Sequence, residues 1–60
     1  MNASKTIWTA TRRHLPPEGV VVDTMDSGGN KQPLVREGAL WFFPDHSMYV
    51  YYTPVAWCYQ

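Results

Sequence analysis

The chain has 60 residues, nine of them aromatic (three Trp, four Tyr and two Phe), and its five Lys and Arg side chains balance five Asp and Glu. This length allows one small domain, residues 1–60, which buries only about 60% of its unfolded surface. The zero net charge disfavours a nucleic-acid binder that depends on phosphate contacts and a protein that binds an anionic membrane.

The cysteine count and the hydropathy pattern indicate the cellular compartment of the protein. The single cysteine, Cys58, excludes an internal disulfide and a zinc site built from cysteines. The chain lacks the run of about 18 apolar residues that a membrane span needs, and its N-terminus has no apolar run of signal-peptide length. We therefore expect a cytoplasmic protein that does not contact a membrane.

The first third of the chain leads into a strand. Residues 1–7, mostly small or polar, are expected to fray, as weakly held termini do. Residues 15–19, Leu-Pro-Pro-Glu-Gly, predict a rigid turn, with Gly19 free to take a positive φ. Residues 20–25 begin with three valines, and β-branched side chains favour a strand.

A loop and a second strand follow. Residues 26–31, Asp-Ser-Gly-Gly-Asn-Lys, have the composition of a hairpin loop. Residues 32–36 predict a short strand at the edge of the sheet, because Pro33 cannot donate a ladder hydrogen bond. Glu37 and Gly38 then suit a tight turn, with a positive φ at Gly38.

Residues 38–52 contain the most distinctive pattern, an aromatic hairpin. Two apolar runs, residues 39–43 and 48–52, flank Pro-Asp-His-Ser, a typical turn sequence. If Phe43 faces Met48, the register pairs the remaining residues in order: Phe42 with Tyr49, Trp41 with Val50, Leu40 with Tyr51 and Ala39 with Tyr52.

Neither face of this hairpin is polar. Strand side chains alternate, so one face carries Leu40, Phe42, Tyr49 and Tyr51, and the other carries Trp41, Phe43, Met48 and Val50. Sixty residues can hardly cover both faces. One face is therefore expected to pack inside while the other stays at least half exposed as a candidate contact surface, unless the two ends of the chain cover it.

The whole pattern predicts an all-β fold. We expect a small four-stranded antiparallel meander, with strands near 20–25, 32–36, 39–43 and 48–52; an SH3-like half-barrel is one form such a meander can take. Arms at the two ends carry Trp8 and Trp57. Pro54 is expected to stop strand pairing, and Trp57 to plug one end of the sheet.

The search for chemistry yields no catalytic residue. Asp45, His46 and Ser47 contain the residue types of a triad, but adjacent residues do not converge as a triad requires, and turn chemistry accounts for them. Cys58 lies among aromatics and is expected to be a small buried hydrophobe. We expect no enzyme activity, no metal site and no cofactor.

The aromatic surplus favours binding. Tyr and Trp are enriched at protein-binding hot spots, so the chain is interpreted as a protein-binding module. The expected contact residues are Trp41, Phe43, Tyr52 and Tyr59, with Arg36 at the rim. The alternative is a small β-barrel that stacks single-stranded nucleic acid on Tyr and Trp, against which the zero net charge counts.

One set of motifs resembles a known family. A Trp is followed by a Leu-Pro turn with Gly and a valine strand, then by Gly shortly before Trp and by a last Trp, here Trp8, Leu15, Pro16, Glu18, Gly19, Gly38, Trp41 and Trp57. This arrangement resembles small phage and prophage proteins known as domain of unknown function 551. The resemblance implies a phage or mobile-element origin and a role inside an infected bacterium. Together with the small size, the neutral charge, the lack of catalytic motifs and the surplus of aromatics, it leads us to expect a module that binds and modulates a host protein, such as a defence or metabolic enzyme.

The predicted surfaces also bear on assembly. An open edge at Pro33 and an exposed aromatic face favour pairing with another chain. A symmetric homodimer would bury both. The competing expectation is a monomer in which Trp8 and Trp57 fold across that face.

Overall fold

The computed structural model describes residues 7–60, which form one six-stranded antiparallel sheet and no helix. The frayed end expected over residues 1–7 therefore lies, apart from Ile7, outside the described residues. The strands are β1 Thr9–Ala10, β2 Val21–Met25, β3 Lys31–Glu37, β4 Leu40–Phe42, β5 Tyr49–Val50 and β6 Ala56–Tyr59. Their order across the sheet is β1-β6-β2-β3-β4-β5. The all-β prediction is confirmed, whereas the four-stranded meander is replaced by six strands, in which the β1–β2 and β5–β6 connections both cross over other strands.

Strands β2 to β4 follow the local sequence closely. The Asp26 carboxylate accepts hydrogen bonds from the backbone N–H groups of Gly28 and Asn30, both at 2.9 Å, and this closes the β2–β3 loop. Gly38 takes a φ of +61° at the β3–β4 turn, and Gly19 takes +79° before β2. Both positive φ values were predicted from the turn sequences.

The register of the aromatic hairpin is confirmed at its centre. Trp41 pairs with Val50 and Phe42 with Tyr49, and the Phe43 N–H donates to the Met48 carbonyl at 2.9 Å. The pairs expected beyond Val50 do not form, because the chain leaves the sheet edge at Tyr51. The predicted strands over residues 39–43 and 48–52 were therefore too long.

The C-terminal residues correct the sequence-based topology most. Pro54 does not end strand pairing, because β6 follows it and lies between β1 and β2. Trp57 pairs with Thr9 on one side and Thr24 on the other. It is thus a central residue of the sheet and not a plug at its end. These pairings join residues more than thirty positions apart, and no local pattern marks them.

The open edge expected at Pro33 is found on one side of β3, in the first half of that strand. β3 pairs with β2 over Lys31–Val35 and with β4 over Val35–Glu37. Among residues 7–60, no strand therefore pairs with residues 31–34 on the β4 side, where the missing proline N–H costs no ladder bond. The outermost strands of the sheet are β1 and β5.

The crossover, residues 51–55, requires the sheet to curl. In a flat sheet β5 and β6 would lie four strand spacings apart, about 19 Å, and the registers would separate Val50 from Ala56 by about 17 Å along the strands. The resulting distance of about 25 Å exceeds the roughly 20–22 Å that six extended residues can span. The sheet therefore bends towards the face that the crossover bridges. It stays open, and the half-barrel form remains a prediction.

The inner face of the curled sheet carries the core. Val22, Leu34, Trp41 and Trp57 form one buried cluster, against which Phe43 and Val50 pack. The registers place the strand members of this cluster on one face. A buried threonine, Thr24, shares that face, and its hydroxyl donates to the Gln32 carbonyl at 2.7 Å. Its polar group is therefore satisfied inside the core.

Arg36 ties the proline turn to the β3–β4 hairpin. Its Nε donates to the Pro16 carbonyl at 3.0 Å and its Nη1 to the Gly38 carbonyl at 2.8 Å, while Glu18 Oε2 lies 3.8 Å from Nη1. The Gly19 N–H donates to the Arg36 carbonyl at 3.1 Å. The guanidinium therefore serves as a structural clamp.

Replacing Leu34 by Ala is expected to lower the free energy of unfolding by about 2–5 kcal/mol, because the side chain is fully buried and leaves a cavity. The matched change Leu40→Ala, at a residue that is 43% exposed, should cost about 0.5–1 kcal/mol. Urea titration followed by circular dichroism measures both. Equal losses would contradict the assignment of the inner face.

Candidate functional site

The outer face of the hairpin opens into a shallow cleft of about 270 Å³. We call it the tyrosine cleft; it is lined by Ala39, Leu40 and residues 49–53. Three of these residues are tyrosines, and Tyr51 keeps 88% of its surface exposed. Large aromatic side chains are normally covered in a chain this small, so this cluster is the strongest candidate for a binding site.

Aromatic contacts hold the cleft in shape. The ring of Tyr49 lies edge-on to Phe42 at 5.7 Å and to Tyr51 at 5.5 Å between centroids. The Gln32 side-chain amide donates to the Tyr52 hydroxyl at 2.6 Å. Edge-to-face packing of this kind stabilises each aromatic pair by about 0.5–1.5 kcal/mol beyond area burial. These contacts restrict the rings before any partner arrives.

The structure decides which hairpin face is available. The face with Leu40, Phe42, Tyr49 and Tyr51 looks outward, because the opposite face packs into the core. Trp41 is only 2% exposed and belongs to the core cluster, so its expected place on a contact surface was wrong. The alternation of side chains along the strands grouped these residues on one face correctly. The sequence did not show which of the two faces would be buried.

The other expected contact residues divide in the same way. Phe43 packs against the core, and Arg36 is held by Pro16 and Gly38. Tyr52 lines the tyrosine cleft. Tyr59 is 62% exposed but lies on the inner-face side of β6, edge-on to Trp57 at 5.1 Å. Only Tyr52 of the expected set therefore joins the cleft, which Tyr49 and Tyr51 complete.

The Asp45-His46-Ser47 turn is held by local hydrogen bonds. The Asp45 carboxylate accepts the Ser47 N–H at 2.9 Å, and hydrogen bonds from the Ser47 side chain and backbone lower the pKa of Asp45. His46 adopts a φ of +61°, and its ring lies 3.5 Å from Glu37 Oε2 and 5.6 Å between centroids from Phe42. The imidazole thus contacts Glu37 and Phe42, and the turn itself accounts for the three residue types.

Cys58 lies on the outer side of the sheet in a buried position. Burial raises the pKa of its thiol, and the neighbouring Asp23 carboxylate acts in the same direction. Both effects keep the sulfur protonated and weakly nucleophilic at neutral pH. In residues 7–60, no three His, Cys, Asp or Glu side chains lie close enough to hold a metal ion.

In the part of the chain that the structure describes, no charged side chain lines the tyrosine cleft. Lys31 instead places its Nζ 5.9 Å from the centre of the Trp8 ring, and Arg36 serves the proline turn. Residues 7–60 contain no helix that is long and apolar enough to cross a bilayer. The cleft is therefore an uncharged aromatic surface with hydroxyl groups.

Comparisons with protein-family models, with curated proteins and with solved structures give no match to this chain. The resemblance to domain of unknown function 551 remains a prediction. The site is consequently interpreted from its own geometry.

Acid should destabilise the β2–β3 loop. A hydrogen bond from the Asn30 backbone is the main cause that lowers the pKa of Asp26. Because the folded pKa lies below the unfolded value of about 3.9, the stabilisation is present above that pH and is lost as pH falls through the folded pKa. The melting temperature should therefore drop between about pH 5 and about pH 2. In Asp26→Asn, which cannot ionise, the drop should be smaller; an identical drop in both proteins would contradict this role.

Proposed function

We propose that this chain is a non-enzymatic protein-binding module whose contact surface is the tyrosine cleft. The observation that carries the proposal is the cluster of three exposed tyrosines beside β5, which the core does not use. A domain of this size has few large side chains available for its own packing. Leaving these rings in water is costly unless a partner covers them.

The chemistry of the cleft favours a protein partner. Tyrosine supplies a large rigid ring with a polar tip, and it loses little conformational entropy when it is buried at an interface. The edge-on contacts among Phe42, Tyr49 and Tyr51 restrict the rings further. The uncharged lining suits an apolar partner segment that offers hydrogen-bond acceptors to the tyrosine hydroxyls.

The identity of the partner is a separate step. The phage origin and the bacterial host of this proposal rest on the family resemblance, whereas the cytoplasmic location rests on the single cysteine and the hydropathy pattern. The geometry of the cleft supports binding in general and is compatible with that partner.

Single-stranded nucleic acid is the alternative ligand. Exposed tyrosines can stack bases, but such sites combine stacking with cations along the backbone path. No Lys or Arg of residues 7–60 lines the cleft, and this distribution favours the protein-binding proposal. A titration with labelled oligonucleotide at low salt separates the two functions, since binding that weakens steeply with salt supports the alternative.

Replacing Tyr51 by Ala should weaken capture of the partner about thirtyfold, because truncation of a hot-spot aromatic costs about 2 kcal/mol or more. The matched control is Tyr59→Ala, since Tyr59 is also exposed but lies on the opposite face of the sheet. Tagged proteins incubated with bacterial lysate, with retained proteins quantified by mass spectrometry, measure the difference. Partners lost equally by both variants, or by neither, would count against the cleft.

The same surface supports a proposed homodimer. β5 is the outermost strand on its side of the sheet, and it borders the tyrosine cleft. Two copies could pair their β5 edges about a two-fold axis and bury both cleft surfaces. Such a dimer would add to the core that the short chain lacks.

Sedimentation across a concentration series should show a mass that rises from 6.9 kDa towards twice that value at high protein concentration. Tyr49→Lys should keep the mass at the lower value, because it places a charge beside the paired edge; Tyr59→Lys is the control. A wild-type mass that stays at 6.9 kDa from micromolar to near-millimolar protein rules the dimer out.

A further inference from the structure

The rim of the tyrosine cleft carries carboxylates where the cleft meets the β3–β4 turn. Ala39 and Leu40, which line this side of the cleft, directly follow the turn. Glu37 is the ladder partner of Leu40, and 39% of its side chain is exposed. Glu18 is tied to the same turn, because its Oε1 accepts the Gly38 N–H at 3.2 Å. Two carboxylates therefore stand at this rim, next to an uncharged lining.

Within residues 7–60, no lysine or arginine pairs with Glu37. Arg36 lies 3.8 Å from Glu18 and offsets the charge of that carboxylate. Glu37 instead contacts the imidazole of His46 at 3.5 Å, and a histidine carries little charge at pH 8. Lys31 lies at the opposite end of the seven-residue strand β3. The rim of the cleft at the β3–β4 turn is therefore negatively charged.

The tyrosine rings add a second attraction for a cation. Tyr49 and Tyr51 stand edge to face, with 5.5 Å between centroids and 74° between ring planes, and Tyr51 is 88% exposed. The face of an aromatic ring carries partial negative charge and attracts a cation within about 6 Å of its centre. In the described part of the chain Lys31 covers Trp8 in this way, at 5.9 Å, and no such cation covers the tyrosines. The rings and Glu37 thus attract the same kind of group.

The shape of the cleft favours one cation over the others. The cleft is a shallow space of about 270 Å³, whereas a quaternary ammonium group is typically held in a cage of several aromatic rings. A guanidinium is planar, stacks flat on one ring and donates parallel N–H groups to a carboxylate. The lysine ammonium is a compact and more strongly hydrated charge. An arginine side chain is therefore the best match.

We propose that the partner segment in the tyrosine cleft carries an arginine at the end that faces the β3–β4 turn. The guanidinium lies above Leu40, between the ring of Tyr51 and the carboxylate of Glu37. The apolar neighbours of the arginine fill the cleft, where their backbone carbonyls accept hydrogen bonds from the tyrosine hydroxyls. This inference rests on the proposed protein-binding function and adds the charge of the partner to it.

The peptide acetyl-Pro-Leu-Pro-Leu-Arg-amide and its twin with citrulline in place of arginine test the inference in the full chain. Citrulline keeps the planar shape of arginine without its charge. In carbon-13 methyl NMR titrations at pH 8, the arginine peptide should shift the signals of Leu40 and Val50. It should bind about fivefold or more tightly than the citrulline peptide, because only arginine provides a cation for the rings and the carboxylate. Equal affinities would overturn the inference.

Glu37→Gln and Asp26→Asn form a matched pair, since each removes one negative charge. The first change should weaken binding of the arginine peptide by about two- to threefold, as expected for a partly exposed ion pair. Asp26 lies in the β2–β3 loop at the other end of β3, about 20 Å away, beyond the screening length of about 8 Å at 0.15 M salt. Its replacement should change the affinity less than about 1.3-fold. Equal losses would reduce the effect to net charge and overturn the role of Glu37.

Tyr51→Leu tests the contribution of the ring. The change keeps an apolar side chain and removes the aromatic face. It should therefore weaken the arginine peptide about threefold more than the citrulline peptide. An equal loss for both peptides would show that the ring acts only through its apolar area, and would overturn the cation contact.

Tyr51→Ala separates this inference from the proposed function. If the variant binds both peptides as the wild type does, the cleft is not the contact surface and both proposals fail. If it loses both peptides while the wild type does not distinguish them, the cleft still binds protein and only the arginine is wrong. Binding of neither peptide to the wild type overturns the inference, and a dimeric mass in sedimentation would then assign the cleft to a second copy of the chain.

Discussion

The crossover over residues 51–55 is the constraint on which the rest of the structure depends. It must carry the chain from β5, at one edge of the sheet, to β6, between β1 and β2. Because five residues cannot span that diagonal across a flat sheet, the sheet curls. The curl creates an inside, and Val22, Leu34, Trp41 and Trp57 fill it.

The same constraint decides which aromatic residues of the hairpin are buried in the core and which stay on the surface. The two faces of the hairpin are equally apolar in sequence, and pairing of β4 with β5 alone would leave them equivalent. Once the crossover covers one face, Trp41 enters the core with 2% of its surface exposed. Tyr49 and Tyr51 are left outside, where their packing against Phe42 gives them a defined arrangement.

The tyrosine cleft borders the crossover, since residues 51–53 form one of its walls. The buried Pro54 and the bond from the Val55 N–H to the Met25 carbonyl, 2.9 Å, fix the segment that follows. A short, well-anchored connection thus positions the aromatic surface of the cleft.

The sequence by itself determined the local elements. The Val20-Val21-Val22 run, the Asp26 loop, the positive φ values of Gly19 and Gly38 and the central register of Trp41 with Val50 all follow from backbone preference and short-range pairing. Only the tertiary structure decided that Trp57 lies at the centre of the sheet, that Arg36 clamps the proline turn and that the face of Tyr51 remains open. Those outcomes depend on pairings between residues far apart in the chain, such as Thr24 with Trp57, and on which face the crossover buries. The local sequence pattern shows neither the long-range pairings nor the buried face, because the side chains of β6 and of the hairpin would suit either face of a sheet.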